Sequence, residues 1–84
     1  MDQQKRVKLY TSPTCSWCRA AKAYMIDNGI EFTEADIISD PGARKEMVLM
    51  TGQYGVPVIR AGNGVVVGWN EAEFRRLMEL QPKN

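Results

Sequence analysis

Both cysteines of the chain lie in the segment 11–18, between a strand-like stretch and a helix-like stretch, with two residues between them. If a helix begins at about Cys15, then Cys15 and Cys18 occupy positions i and i+3 on one of its faces. Their Cα atoms are then about 5 Å apart, which a disulfide bond can span. Because the pair can close and open a disulfide with little backbone movement, the spacing predicts a redox-active dithiol rather than a fixed cross-link.

The two cysteines are expected to have different roles. Cys15 is at the helix start, where unpaired N–H groups and the helix dipole favour a thiolate, so it is the predicted nucleophile. Cys18 is one turn further along and is expected to be more buried, which suits the thiol that resolves a mixed disulfide. Arg19 and Lys22 add positive charge nearby, screened by salt. A Cys–His nucleophile pair is excluded because the chain has no histidine.

The composition predicts a single domain over residues 1–84. A hydrophobic fraction of 44% and a net charge of +1 indicate a globular protein without a bias toward nucleic acid. The apolar runs are too short for a membrane span, and residues 1–6 lack the apolar stretch of a secretory signal. We therefore expect a cytoplasmic monomer that binds neither nucleic acid nor membranes. In that reducing compartment, CxxC is more often redox-active or metal-binding than structural.

Polar–apolar alternation, helix caps and turn residues predict the element order βαβαββα. Strands are expected at 6–10, 30–37, 56–59 and 65–68, and helices from about 15 or 16 to 27, from 41 to 51, and after Asn70. The helical connection makes the first two strands parallel, with a right-handed crossover. A tight turn at 61–64 makes the last two antiparallel, and residues 81–84 are expected to fray. The residues predicted to face the core from the helices are Ala21, Tyr24, Met25, Ala43, Met47, Met50, Phe74, Leu77 and Met78.

Three motifs in this order resemble the glutaredoxin family. They are the CxxC segment 10–18, Gly-Val-Pro at 55–57 and Gly-Trp-Asn at 68–70. Within the family, the chain is similar to the small glutaredoxin-like proteins close to NrdH-redoxins, in the thioredoxin superfamily. The resemblance covers residues 7–80 and implies an α/β, thioredoxin-like fold: a four-stranded mixed sheet flanked by three helices. The first two helices would lie on opposite faces or edges, and the third would close the ββα half.

The resemblance also implies a substrate groove beside the cysteines. Pro57 matches the family's cis-proline, and the backbone of Val56 would pair with an extended substrate as a short added strand. Gly68 would allow a close approach of backbone and ligand. Trp17 is equally compatible with packing over the loop and with docking a protein substrate, and Tyr54 and Trp69 are equally compatible with lining the groove and with a structural role. The residues implied to bind substrate or glutathione are Thr14, Trp17, Gln53, Tyr54, Val56, Pro57, Gly68, Trp69 and Asn70.

Several positions depart from the family pattern in ways that weaken glutathione binding. Ser12 stands where many members have a lysine, Gln53 and Tyr54 replace an arginine, and Asn70 replaces an acidic residue. Each charge-assisted contact contributes roughly 1.5–3 kcal/mol, so losing two would lower glutathione affinity by about 10²-fold or more. NrdH-redoxins lack the same groups, but the residues between their cysteines differ from those here. The chain is intermediate, with glutathione a possible co-substrate.

These features predict thiol–disulfide exchange on a protein or low-molecular-weight disulfide. Cys15 attacks, Cys18 resolves, and thioredoxin reductase or glutathione reduces the Cys15–Cys18 disulfide again. We expect no tightly bound cofactor and no metal, because zinc takes four ligands and the chain offers two cysteines and no histidine. Two alternatives stay open. One is a glutathione-dependent iron–sulfur cluster carrier, which Ser16 favours because most members have proline there. The other is a non-catalytic binding module on the same fold.

Overall fold

The computed structural model describes residues 6–79, and the predicted fraying of 81–84 lies outside them. The strands are β1 (Val7–Thr11), β2 (Thr33–Asp36), β3 (Val58–Ala61) and β4 (Gly64–Val67). The helices are α1 (Ser16–Asp27), α2 (Pro41–Thr51) and α3 (Glu71–Glu79). This confirms the predicted order βαβαββα. No helix within the described range is long and apolar enough to span a bilayer.

The four strands form one mixed sheet in the order β2-β1-β3-β4. β1 and β2 run parallel, with Lys8 opposite Thr33. β3 is antiparallel to both β1 and β4, and Ala61 pairs with Gly64 next to the hairpin turn. The predicted thioredoxin-like sheet is therefore confirmed. The carboxyl ends of β1 and β2 and the start of β3 meet at one end of the sheet, where the segment containing the cysteines also begins.

Side-chain caps mark two helix starts, as predicted. The Asp40 carboxylate accepts the N–H of Ala43 at 3.1 Å at the start of α2. The Asn70 side chain accepts the N–H of Glu73 at 3.1 Å at the start of α3. α2 ends at Gly52, which adopts the left-handed conformation at φ 73°. These caps satisfy backbone groups that have no partner inside the helix.

The sheet separates two hydrophobic cores. Alternate residues of β1 point to opposite faces, so that Leu9 belongs to one core and Tyr10 to the other. The first core contains buried residues of α1 and α3, and the second those of α2, so α1 and α3 share one face and α2 covers the other. The buried residues of the first core are Val7, Leu9, Ala21, Met25, Ile59, Ala61 and Phe74. Those of the second are Tyr10, Ala35, Ile37, Ala43, Met47 and Val58. The predicted inward faces of the helices agree with this division.

The predicted second strand, 30–37, is wrong at its beginning, because β2 starts at Thr33. The N–H of Ile30 donates to the carbonyl of Met25 at 2.9 Å, so Ile30 completes the end of α1. Ile30 and Phe32 are half-buried against the core between α1 and α3. Their apolar character therefore serves the closing loop of α1 and not an extension of the sheet.

The boundaries of the last two strands are also shifted. β3 begins at Val58, two residues later than predicted, because the Val56–Pro57 segment forms a loop with a cis peptide bond. β4 ends at Val67, one residue early, because Gly68 leaves the extended conformation at φ 83°. Both shifts occur at the end of the sheet that faces the cysteines.

A polar network crosses from β1 to α2. The hydroxyl of fully buried Tyr10 donates to the carboxylate of Glu46 at 2.7 Å, and the ammonium of Lys8 donates to the same oxygen at 2.9 Å. Burial, followed by the hydrogen bond to Glu46, raises the pKa of Tyr10 to about 12. The hydrogen bonds from Tyr10 and then Lys8 lower the pKa of Glu46. The network therefore ties α2 to β1, the strand that leads to the cysteines.

Candidate active site at the start of α1

Cys15 is the N-cap of α1. Its backbone is extended at φ −99° and ψ 112°, and its sulfur accepts the N–H of Cys18 at 3.1 Å. The sulfur thus takes the place that a serine or aspartate oxygen usually takes at a helix start. An N–H group aimed at the sulfur, together with the positive end of the helix dipole, stabilises negative charge on it. The predicted position of Cys15 at the helix start is confirmed.

Cys18 lies one turn into α1, and its side chain is only 2% exposed, whereas Cys15 is half-buried. Burial is the main cause that raises the pKa of the Cys18 thiol, and its hydrogen bond with Cys15 acts in the same direction. Hydrogen bonds with the Thr11 side chain and the Ser12 backbone oppose this rise. Both cysteines are free thiols. The predicted contrast between an accessible and a buried cysteine is therefore confirmed.

The segment before β3 lies against the Cys15 sulfur. The Cys15 thiol donates to the carbonyl of Val56 at 3.8 Å across 41 residues of sequence. The Val56–Pro57 peptide bond is cis, as the resemblance implied. The N–H of Gly68 donates to the carbonyl of Pro57 at 2.7 Å. Four of the predicted site residues thus lie together: Cys15, Val56, Pro57 and Gly68.

Exposed side chains surround this centre. Trp17, between the two cysteines, is 63% exposed, and Thr14 before them is also exposed. Tyr54, two residues before Val56, is 64% exposed, and the guanidinium of Arg44 lies 5.0 Å from the centre of its ring. Trp17 therefore does not pack down over the loop. Its indole and the Tyr54 ring remain available to a ligand.

Gln53 is held by its own loop. Its side-chain oxygen accepts the N–H of Gly55 at 2.7 Å, and its side-chain nitrogen donates to the carbonyl of Gly55 at 3.1 Å. The same nitrogen lies 3.4 Å from the hydroxyl of Thr51. These bonds shape the turn that leads from α2 to Val56. Gln53 therefore holds the segment that leads to Val56, and its contact with substrate or glutathione stays a prediction.

Trp69 and Asn70 also make structural contacts. The Trp69 ring is 5.4 Å from that of Tyr24 and 5.8 Å from that of Phe74, in an aromatic cluster between α1 and α3. Asn70 caps α3 through Glu73. The structure thus packs the half-buried Trp69 against the first core, which supports the structural role that the sequence left open. Substrate contacts of these two residues stay predictions.

Two clefts were not expected from the sequence. One, of about 390 Å³, runs between α1 and β2 and is crossed by the Lys22–Glu34 ion pair at 3.0 Å. The other, of about 260 Å³, lies on α2 beside Tyr54. Neither leaves a local sequence signal, because each depends on how α1 or α2 packs on the sheet. Within residues 6–79, no three Cys, Asp or Glu side chains are gathered in a way that could hold a metal ion.

The comparisons with known proteins agree with this geometry. The glutaredoxin family model matches residues 7–67. The chain is 38% identical over 73 residues to a glutaredoxin-like 8.6 kDa protein in the rubredoxin operon of Clostridium pasteurianum, with 87% of this chain and 97% of that protein covered. It is 38% identical over 53 residues to glutaredoxin 3 of Escherichia coli strain K12, with 63% of this chain and 64% of that protein covered.

A solved structure extends the likeness over almost the whole chain. NrdH-redoxin from Escherichia coli, a glutaredoxin-like protein described as having a thioredoxin-like activity profile, matches with a TM-score of 0.77 at 28% identity. The match covers 94% of this chain and 99% of that structure. The family model, the relatives and the arrangement of the CxxC segment against a cis-proline show that the chain belongs to the glutaredoxin family.

Proposed function

We propose that the protein is a dithiol–disulfide oxidoreductase in which Cys15 is the nucleophile and Cys18 the resolving thiol. The observation that supports this assignment is the asymmetry of the two sulfurs. The Cys15 sulfur is accessible and receives the N–H of Cys18 at 3.1 Å, whereas Cys18 is buried behind it with a raised pKa. A thiolate is the attacking form of cysteine, so the stabilised and accessible sulfur reacts first.

The reaction proceeds in two exchanges. The Cys15 thiolate attacks one sulfur of the substrate disulfide, the substrate S–S bond breaks, and one substrate sulfur leaves as a thiolate. Cys18 then attacks the Cys15 sulfur of the mixed disulfide, and its proton passes to the second leaving sulfur. The substrate gains two electrons, and the protein is left with a Cys15–Cys18 disulfide. Burial keeps Cys18 protonated until the mixed disulfide lies within its reach.

The backbone around Val56 is the proposed binding surface for the substrate. The Val56 carbonyl lies 3.8 Å from the Cys15 sulfur, so an extended segment paired with Val56 would bring its own cysteine to Cys15. The Gly68–Pro57 hydrogen bond and the Gln53–Gly55 bonds fix this segment from both sides. Such preorganisation lowers the entropic cost of aligning the two reacting sulfurs.

Thioredoxin reductase is the proposed electron donor. Ser12 offers no cation to a glutathione carboxylate, the Gln53 amide is bound to Gly55, and the Asn70 side chain caps α3. The similarity to NrdH-redoxin, with its described thioredoxin-like activity profile, supports the same choice. Glutathione remains the alternative donor, and the cluster-carrier alternative is supported by Ser16 alone.

The test follows NADPH oxidation with a low-molecular-weight disulfide as substrate. One reaction contains thioredoxin reductase, and the other contains glutathione and glutathione reductase. We expect turnover with the first system and at least about 10²-fold less with the second, as the missing contacts require. Cys15→Ser is the control and should be inactive in both. Equal turnover with glutathione would overturn the proposed donor, and silence in both would overturn the proposed reaction.

A further inference from the structure

We propose that the cleft on α2 beside Tyr54 docks an acidic and apolar segment of the protein that carries the substrate disulfide. This inference rests on the proposed function, because it names the kind of partner that the Cys15 site serves. The cleft has a volume of about 260 Å³. Its lining residues are Pro41, Arg44, Lys45, Val48, Leu49 and Tyr54.

Apolar side chains form one part of the cleft. Leu49 is 78% exposed and Tyr54 is 64% exposed, although both are large and hydrophobic. Val48 also lines the cleft and is half-buried against the second core. The cleft is therefore an apolar surface continuous with the interior of the protein. Burying Leu49 and Tyr54 against a partner's apolar side chain would therefore favour binding.

The positively charged side chains of Arg44 and Lys45 form the other part of the cleft lining, and within the described part of the chain neither is paired with an acidic side chain. In residues 6–79, the ion pairs join Lys8 to Glu46, Lys22 to Glu34 and Arg76 to Glu73, and none includes a residue of the cleft.

The acidic residues nearest in sequence are already engaged. The Asp40 carboxylate caps α2, and Glu46 is bound to Tyr10 and Lys8. Arg44 lies over the Tyr54 ring, a cation–π contact that holds its guanidinium beside the apolar surface. A carboxylate next to an apolar side chain complements this arrangement.

The cleft is connected to the reacting sulfur through the chain itself. Tyr54 belongs to the cleft and precedes by two residues Val56, whose carbonyl lies 3.8 Å from the Cys15 sulfur. A substrate segment paired with Val56 therefore passes Tyr54 within a few residues of its cysteine. A low-molecular-weight disulfide has no such flanking residues. The cleft accordingly selects among protein substrates and leaves small disulfides unaffected.

The experiment uses two disulfide peptides of equal length that differ only in the residues flanking the cysteine. One carries Glu and Leu there, and the other carries Lys and Ser. Each peptide is reduced under turnover, with the protein recycled by the donor system that supports reduction of the small disulfide, and kcat/KM is compared for the unmodified protein, Arg44→Glu, Leu49→Ser and Arg75→Glu. Arg75→Glu is the matched control, because it makes the same charge change at an exposed residue of α3, on the opposite face of the sheet.

We expect Arg44→Glu to lower kcat/KM for the acidic peptide about tenfold and to raise it for the basic peptide, because a charge at the rim of an interface acts mainly on the association rate. Raising the salt concentration from about 20 mM to about 200 mM should weaken the acidic peptide's advantage in the unmodified protein and not in Arg44→Glu. Leu49→Ser should lower kcat/KM for the peptide with Glu and Leu and leave that for the peptide with Lys and Ser unchanged.

The proposed docking and the proposed reaction can fail separately. If Arg44→Glu and Leu49→Ser leave the peptide preference unchanged, or if Arg75→Glu alters it equally, the docking inference is overturned. Reduction of a low-molecular-weight disulfide at an unchanged rate in these variants would still uphold the proposed function in that case. If the unmodified protein reduces neither the small disulfide nor the peptides, the proposed function fails and the inference fails with it.

Discussion

The amide of Gly68 donates a 2.7 Å hydrogen bond to the carbonyl of Pro57 and so ties the end of β4 to the segment opposite Cys15. Gly68 has φ 83°, which L-residues with a side chain rarely adopt. Gly68→Ala should lower the free energy of unfolding by about 1–2 kcal/mol, and it should lower kcat/KM about tenfold because the Pro57 segment shifts. Urea denaturation and disulfide reduction measure the two effects.

Gly29 provides the matched control for this substitution. It also has a positive φ, 67°, and open space around an added Cβ, but it lies at the end of α1 away from the cysteines. Gly29→Ala should cost a similar free energy of unfolding and leave kcat/KM unchanged. An equal loss of activity in both variants would show that the effect reflects stability and not the Gly68–Pro57 bond.

Replacing each cysteine separately should stop the reaction at different steps. Cys15→Ser should abolish reaction with a disulfide, because the attacking sulfur is gone. Cys18→Ser should still attack and then accumulate a mixed disulfide between Cys15 and the substrate, because the resolving thiol is missing. Intact mass spectrometry, without any added thiol, identifies the adduct. A mixed disulfide that forms on Cys18 in the Cys15→Ser variant would reverse the proposed roles.

Tyr10→Phe should reduce stability in a pH-dependent manner. The lost hydrogen bond to Glu46 should cost about 1–2 kcal/mol near neutral pH. Because the folded pKa of Tyr10 is raised from 10.0 to about 12, its contribution is complete below about pH 10 and is lost as the pH rises toward about 12. The difference in unfolding free energy between the two proteins should therefore shrink across that range. A constant difference would contradict the coupling of Tyr10 to the folded state.

Glutathione use should be gained by restoring the charges that the family pattern has and this chain lacks. In the double variant Ser12→Lys with Asn70→Asp, a cation returns before the CxxC and a carboxylate returns at the start of α3. Aspartate caps a helix as well as asparagine does, so stability should hardly change. Turnover with glutathione should rise about tenfold or more. Asn63→Asp, an exposed change in the hairpin turn, is the control and should have no effect.

Helix boundaries were predictable from the sequence because capping is local. Asp40, Gly52 and Asn70 each act on backbone groups within a few residues of themselves. Strand boundaries were less predictable, because alternation does not distinguish a strand from an apolar loop. Ile30 continued the alternating pattern of β2, but its N–H completes the end of α1. This role of Ile30 could be recognised only from the folded structure, in which the end of α1 is defined.

At the candidate site as well, features that depend on short motifs were predictable, and features that depend on packing between distant elements were not. Cys15, Cys18 and Pro57 belong to short motifs with a known spatial relation, and the structure brings them together or buries them as expected. Trp69 lies in a loop without periodicity, and its partial burial requires Tyr24 and Phe74 from two helices that share one face. The Arg44–Tyr54 contact joins α2 to the following loop and likewise needs the packed chain.

The cap of α1 has a consequence for how this protein can be observed. A serine or aspartate that caps a helix keeps the same covalent state. The Cys15 sulfur, in contrast, passes between a free cysteine and one half of a disulfide in the proposed cycle. The N–H of Cys18, 3.1 Å from that sulfur, experiences each of these states directly. The backbone amide resonance of Cys18 in NMR should therefore report the state of the Cys15 sulfur, and the oxidised fraction of the protein can be followed without an attached dye.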